Sequence, residues 1–353
     1  LARAEAVASR ERAEGLTDFM LTRLREQLKP IGRLKLLDDV ASEALEYYNS
    51  VGRANLGPEA LRKQSIALFN IGDVSRDTGR SDKALSAYES ALERRVELAK
   101  SSPNDARAAI DVIATRNAIA RLYLQRGDLP RAETESQDAL RASEALAVKA
   151  PDNTDNARQL ATSHTNLALI QMEQGKPEDA TASIRKAISV SEAAFTSQPK
   201  LRDLQIDCAA GYSNLGLILQ RSGDPQGAIG AHRTALALRE EIESAQPTNT
   251  ANQFSMARTL LALVPLHGMR GEIEQAREAS DRALALLERL VAIDPLNLEW
   301  EQGLSAALNV QAMMRARGGD QAGAEEALNR ALEIREYLVA QDGSNAAWLR
   351  DLS

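Results

Sequence analysis

Three histidines and one cysteine are the side chains of this 353-residue chain best suited to metal ligation or nucleophilic attack. His164, His232 and His267 fall about a hundred residues apart from first to last and occupy different places in the chain's repeating pattern. A metal site needs ligands that converge, so these three read as surface or half-buried helix positions. Cys208 aligns in the same pattern with Leu160, Met256, Leu304 and Leu352 and reads as a small core residue. The acidic pairs Glu240-Glu241 and Glu325-Glu326 are sequence neighbours. Adjacent residues on a helix point apart, so neither pair makes an acid/base couple. The chain has no GxxxxGK[ST] phosphate loop, no GxGxxG, no GxSxG and no HExxH. No catalytic residue, metal site or cofactor is expected from these residues.

The elements that carry these side chains are set by one recurring turn. Its glycine stands at Gly79, Gly127, Gly175, Gly223, Gly271 and Gly319, at a constant step of 48 residues. Self-similarity of this length marks a stacked solenoid. A small residue precedes each glycine by seven: Gly72, Ala120, Ala168, Gly216, Val264 and Ala312. Alanine follows it by five (Ala84, Ala132, Ala180, Ala228, Ala276, Ala324) and again seven later (Ala91, Ala139, Ala187, Ala235, Ala283, Ala331). Small side chains at these places let antiparallel helices approach closely.

A second mark shares the period: Pro103, Pro151, Pro199, Pro247, Pro295, then Gly343. Two residues on stand Asp105, Asn153, Asn249, Asn297 and Asn345, good N-caps for a following helix, with Leu201 the exception. Pro130, Pro177 and Pro225 fall in first helical turns, where a missing N–H costs little. Each unit therefore reads as helix A, a glycine turn, helix B and a Pro-Asx connection. Pro265, inside helix A of unit 5, is expected to kink it or remove a hydrogen bond. The expected organisation is a degenerate capping hairpin over residues 1–56, then six units and the start of a seventh over 57–353. Trp348 to Ser353 repeat the spacing of Trp300 to Ser305, so both ends are expected to be cut from a longer protein. Trp300 and Trp348 share one repeat position, read as packing or partner anchoring.

Aromatic residues are 3% of the chain, so the core must be aliphatic, which suits close-packed helices. The net charge of −7 is interspersed, with no basic block, and argues against nucleic-acid partners. No apolar run approaches the ~18–20 residues of a membrane span. A single cysteine excludes an internal disulfide and fits a reducing, cytoplasmic setting.

The spacing of small residue, Gly at +7, Ala at +12 and Ala at +19 resembles the tetratricopeptide repeat, seen clearly at Ala120, Gly127, Ala132, Ala139 and at Gly216, Gly223, Ala228, Ala235. The usual unit of that family is about 34 residues; the longer unit here resembles the kinesin-light-chain type. The resemblance implies an all-α, right-handed α-solenoid whose A helices line a concave groove for an extended or helical peptide. Carried over position by position, the groove residues are Asn117, Arg121, Thr165, Asn166, Leu169, Met172, Ser213, Asn214, Leu217, Leu261, Asn309 and Met313. Asparagine at the polar position (Asn70, Asn166, Asn214) either holds a peptide backbone or satisfies a neighbouring helix. The family's basic clamp for a C-terminal carboxylate is not matched, because Arg76, Arg121 and Arg258 are widely separated in sequence. A mainly apolar groove with asparagines is expected.

Residues 18–48 resemble a junction in large bacterial multidomain proteins that joins a kinase or STAND-type ATPase to a repeat array. The leading reading is thus a protein–protein interaction scaffold, the sensor or docking arm of a larger signalling protein. The alternatives are a self-association module that makes a homo-oligomer, or an enzyme whose catalytic part precedes these residues.

Overall fold

The computed structural model describes residues 58–341, Thr78 and Asn104 aside, together with the isolated positions Asp39, Ser42 and Glu46. The expected hairpin over 1–56 and the start of a seventh unit lie outside the described residues, as does Trp348. Twelve helices form six antiparallel pairs: α1 Pro58–Asp77 and α2 Ser81–Ser101; α3 Ala106–Gln125 and α4 Leu129–Lys149; α5 Thr154–Glu173 and α6 Pro177–Ser197; α7 Arg202–Arg221 and α8 Pro225–Ala245; α9 Thr250–Met269 and α10 Ile273–Ile293; α11 Leu298–Arg317 and α12 Gln321–Gln341. There is no strand among the described residues. Each helix packs on its partner and on the next in chain order, so the fold is an all-α solenoid. The A helices have 20 residues and the B helices 21, about 30 Å each.

The turn glycine ends every A helix in the left-handed region, with φ from +73° to +86°. A Cβ there would be strained, which is why the residue repeats unchanged. Around Gly127 the Asp128 N–H reaches back to Tyr123 O at 2.9 Å, and the same bond recurs as Lys176 to Gln171 and Asp224 to Leu219. These bonds satisfy carbonyls that a helix end would otherwise leave without donors. The expected caps form: Asp105, Asn153, Asn249 and Asn297 accept from the N–H three residues on. Leu201 provides no side-chain cap. Helix α9 runs on through Pro265, whose ring faces outward.

The alanines after each turn are buried throughout, and Ala132, Ala228 and Ala139 have no exposed surface. Ala228→Leu or Ala132→Leu must push the helices of a pair apart, and a loss of about 1–3 kcal/mol is expected. A wild-type denaturation midpoint for either variant would refute close packing at this crossing.

At Gly72 and Gly216 the small residue before the turn lies against a ring on the following B helix, at one repeat position. In units 1 to 6 that position holds Tyr88, Ser136, Ile184, His232, Ser280 and Leu328. Glycine occurs only under the two rings. A Cβ on Gly72 would lie 2.5 Å from Tyr88 Cδ1, and one on Gly216 would lie 2.6 Å from His232 Nε2. The bulkiest of the small residues, Val264, is matched with Ser280. The two glycines thus make room for the rings that lie against them.

Candidate functional site

The A helices line the inner side of the array, where a cavity of ≈ 570 Å³ runs from Arg76 of α1 to Glu299 of α11. Of the expected groove residues, it brings together Arg121, Thr165, Asn166, Leu169, Ser213, Asn214 and Leu217. Leu217 is exposed to it.

Five others do not line it. Asn117 is buried between α3 and α5: its Nδ2 donates to Ser163 Oγ at 3.1 Å, and its Oδ1 accepts from Asn166 Nδ2 at 3.1 Å. Met172 packs into the core with Ala180, Ile184 and Ala187. Leu261 is half-buried against the core of α9 to α12. Asn309 and Met313 sit on α11, and Glu299 is that helix's one residue on the cavity wall.

Two of the three asparagines at the polar position, Asn166 and Asn214, part company. Asn166 also donates to the Asn117 carbonyl at 3.1 Å, so its amide serves the neighbouring helix. One unit on, Thr165 takes the place of Asn117 and turns its hydroxyl to Ala161 O at 2.9 Å. Asn214 is thereby left half-buried on the cavity wall with no protein partner for its amide among the described residues. An amide so placed can donate to and accept from a peptide backbone.

The wall is more polar and more basic than expected. Its aliphatic part is Leu124, Leu169 and Leu217, set among Thr162, Thr165, Ser213, Ser255 and Thr259. Arg76, Arg121 and Arg258, far apart in sequence, all reach the same cavity because the A-helix faces are stacked side by side. Four lining residues come from B helices, Ala187 and Ser191 of α6 and His232 and Arg239 of α8, and none of them is among the expected groove residues. His232 is 1% exposed, neither ring nitrogen has a partner, and burial lowers its pKa to about 4, so the ring is neutral near pH 7. Arg76 is occupied by Asp73 at 3.4 Å and the Tyr88 hydroxyl at 3.3 Å. Asp207, whose carboxyl is raised chiefly by burial, is held by Arg158 Nε at 2.6 Å.

The remaining chemistry-bearing residues have structural surroundings. Cys208 is 2% exposed and its thiol is pushed up to about 12, chiefly by burial, which leaves little thiolate for reaction. His267 Nδ1 meets Glu272 Oε2 at 2.6 Å beside the unit 5 turn. Trp300 is buried in the core of α9 to α12. Glu240, Glu241, Glu325 and Glu326 are exposed. No group of three His, Cys, Asp or Glu side chains among the described residues is placed to hold a metal ion. No helix among the described residues is long and apolar enough to cross a membrane.

Comparison with known proteins agrees with the repeat geometry. Tetratricopeptide repeat models match residues 112–152 and 208–246, and, for a second model, 66–95 and 161–193. No curated protein matches the sequence significantly. Among solved structures, the Rap conjugation gene regulator of the plasmid pLS20 superposes with a TM-score of 0.58 at 14% identity, over 92% of this chain and 74% of that one. A further Rap protein gives 0.55 at 16% identity, over 92% and 87%. BtubC (BKLC) from P. vanneervenii gives 0.54 at 19%, over 73% and 92%. These likenesses are likenesses of fold. The repeat register, the left-handed glycine turns and the stacked helix pairs agree with the matched models, and the matched stretches of the chain are tetratricopeptide repeats.

Proposed function

We propose that this chain is a protein-interaction scaffold that holds a peptide, or one face of a partner's helix, in the concave cavity between α3 and α9. The observation that carries this reading is Asn214, whose unpartnered amide shares the cavity wall with Leu217 and Leu169. Apolar side chains beside a free backbone-type donor and acceptor are what an extended peptide requires. Of the two Rap structures of like fold, one was solved in complex with the Phr* peptide and the other with Competence and Sporulation Factor, which supports the reading of this fold as a binding scaffold. We read the array as the sensing or docking arm of a larger signalling protein, its chemistry supplied elsewhere.

The test is a random peptide pool passed over the immobilised chain, with retained peptides resynthesised and titrated calorimetrically. Leu169→Ala combined with Leu217→Ala is expected to weaken retained peptides tenfold or more, with the helical circular dichroism unchanged. Unchanged affinity in the folded double variant would sink the groove.

A further inference from the structure

The cavity holds an arginine that the fold has left without a counter-charge. Arg239 is 4% exposed, and its Nε has no hydrogen-bond partner. Its one side-chain hydrogen bond is from Nη2 to Ser213 Oγ at 3.3 Å, and no carboxylate among the described residues pairs with it. Removing a guanidinium from water without a partner is costly. The repeats supply an internal comparison. At the same place in units 1 and 6 stand Arg95 and Arg335, whose Nε atoms donate to Ser65 Oγ at 3.4 Å and Ser305 Oγ at 3.1 Å. The residue equivalent to those serines in unit 4 is Ala209, fully buried. Arg239 thus keeps the arginine and lacks the serine that holds it, and its guanidinium lines the cavity.

Arg258, from α9, lines the same wall, lies 5.9 Å from the Phe254 ring and likewise has no carboxylate partner among the described residues. Burial, with Arg258 adding a like charge, brings the Arg239 guanidinium down to about 10, still cationic at pH 7. Ser213 of α7 and Thr259 of α9, their hydroxyls 3.2 Å apart, line the same cavity as the two arginines. The acids on this wall do not fill the role: Asp207 is committed to Arg158, and Glu299 stands on α11.

We propose that Arg239 and Arg258 form an anion subsite that takes the carboxylate of an aspartate or glutamate side chain in the interior of a bound peptide. This rests on the peptide reading above. A side chain fits better than a chain end because the cavity continues past Arg239 on both sides, toward Leu169 on α5 and toward Glu299 on α11. A single negative charge fits better than a phosphoryl dianion because Glu299 shares the wall.

Two arms test this and keep its failure separate from that of the groove. In the first, N-acetylglutamate N-methylamide, which carries one carboxylate, is titrated while the arginine Nε–H resonances are followed by NMR. Saturable binding is expected, at least tenfold stronger than for the glutamine counterpart. Arg239→Gln is expected to abolish that preference. Ala209→Ser, which restores the serine of units 1 and 6, is expected to weaken the glutamate probe several-fold while keeping the charge. Equal binding of the two probes, or a preference untouched by Arg239→Gln, overturns the subsite. In the second arm, peptides retained from the random pool are expected to be enriched in an internal Asp or Glu, with C-terminal amides bound as well as free acids. Retention without that enrichment, or dependence on a free C-terminus, overturns the subsite and leaves the groove standing. A glutamate-selective probe response with no retained peptide supports the anion site and removes the groove.

Discussion

Between pH 7 and pH 4.5 the array is expected to lose about 2.5 kcal/mol of stability through His232 alone. The ring is 1% exposed beneath Gly216, its nitrogens have no partners, and burial takes its pKa from the ordinary 6.5 to about 4. Well above pH 6.5 the imidazole is neutral in both folded and unfolded chains and contributes no pH dependence. As the pH falls from 6.5 toward 4, the unfolded chain takes up a proton that the folded chain refuses, so unfolding is favoured progressively. The change is large beside the few kcal/mol that separate a folded domain from its unfolded state. It is measured as the difference in urea midpoint between the two pH values, for wild type and for His232→Ser. The serine variant, which copies units 2 and 5, is expected to show a slope flatter by most of that amount. His164, lowered by burial in the same direction, stays in both proteins and cancels. An identical slope in the variant would show that His232 is protonated in place.

Most of the fold was legible in the sequence because each repeat tests the others. The glycines that need a left-handed φ, the asparagines that cap, and the alanines at the crossings return at one spacing, and each has a single backbone or steric reason to do so. Side-chain roles on the inner wall were legible only in part. Asn166 and Asn214 are the same residue at the same repeat position, yet one is consumed by Asn117 and the other is left open by Thr165. Their difference lies in the preceding unit, about fifty residues away. Arg239 does not stand out in the sequence, because it sits on a B helix and has the company of Arg95 and Arg335 at its position. The signal was present nonetheless, in the replacement by Ala209 of the serine that those two arginines use. Pairs of repeat positions, rather than single ones, carry the information about what is free to bind.

The same pairwise logic yields a second large effect, at Gly216. Glycine in a helix interior is about 1 kcal/mol less favourable than alanine, so Gly216→Ala would stabilise α7 if the site had room. It has none: the new methyl would lie 2.6 Å from His232 Cε1 and Nε2 and 2.7 Å from Cδ2. The ring is enclosed and stiff and cannot withdraw as a flexible chain end would. Overpacking of this kind costs about 1–3 kcal/mol, and three ring atoms in conflict place it at the upper end, so a net loss of about 2 kcal/mol is expected. Adding His232→Ser removes the obstacle and recreates the Ala120 and Ser136 pair of unit 2. The double variant is expected to recover the loss and to keep the helical gain, giving a coupling of about 3 kcal/mol, the whole overpacking cost, in a double-mutant cycle. Gly72→Ala is expected to behave alike, because the Tyr88 ring is held by its hydroxyl on Asp73 Oδ1 at 2.8 Å. Gly216→Ala and His232→Ser adding independently in urea denaturation would mean that the glycine answers to some other constraint. Strong coupling at Gly216 would establish that the helix crossing, rather than the turn, fixes which small residue each unit carries.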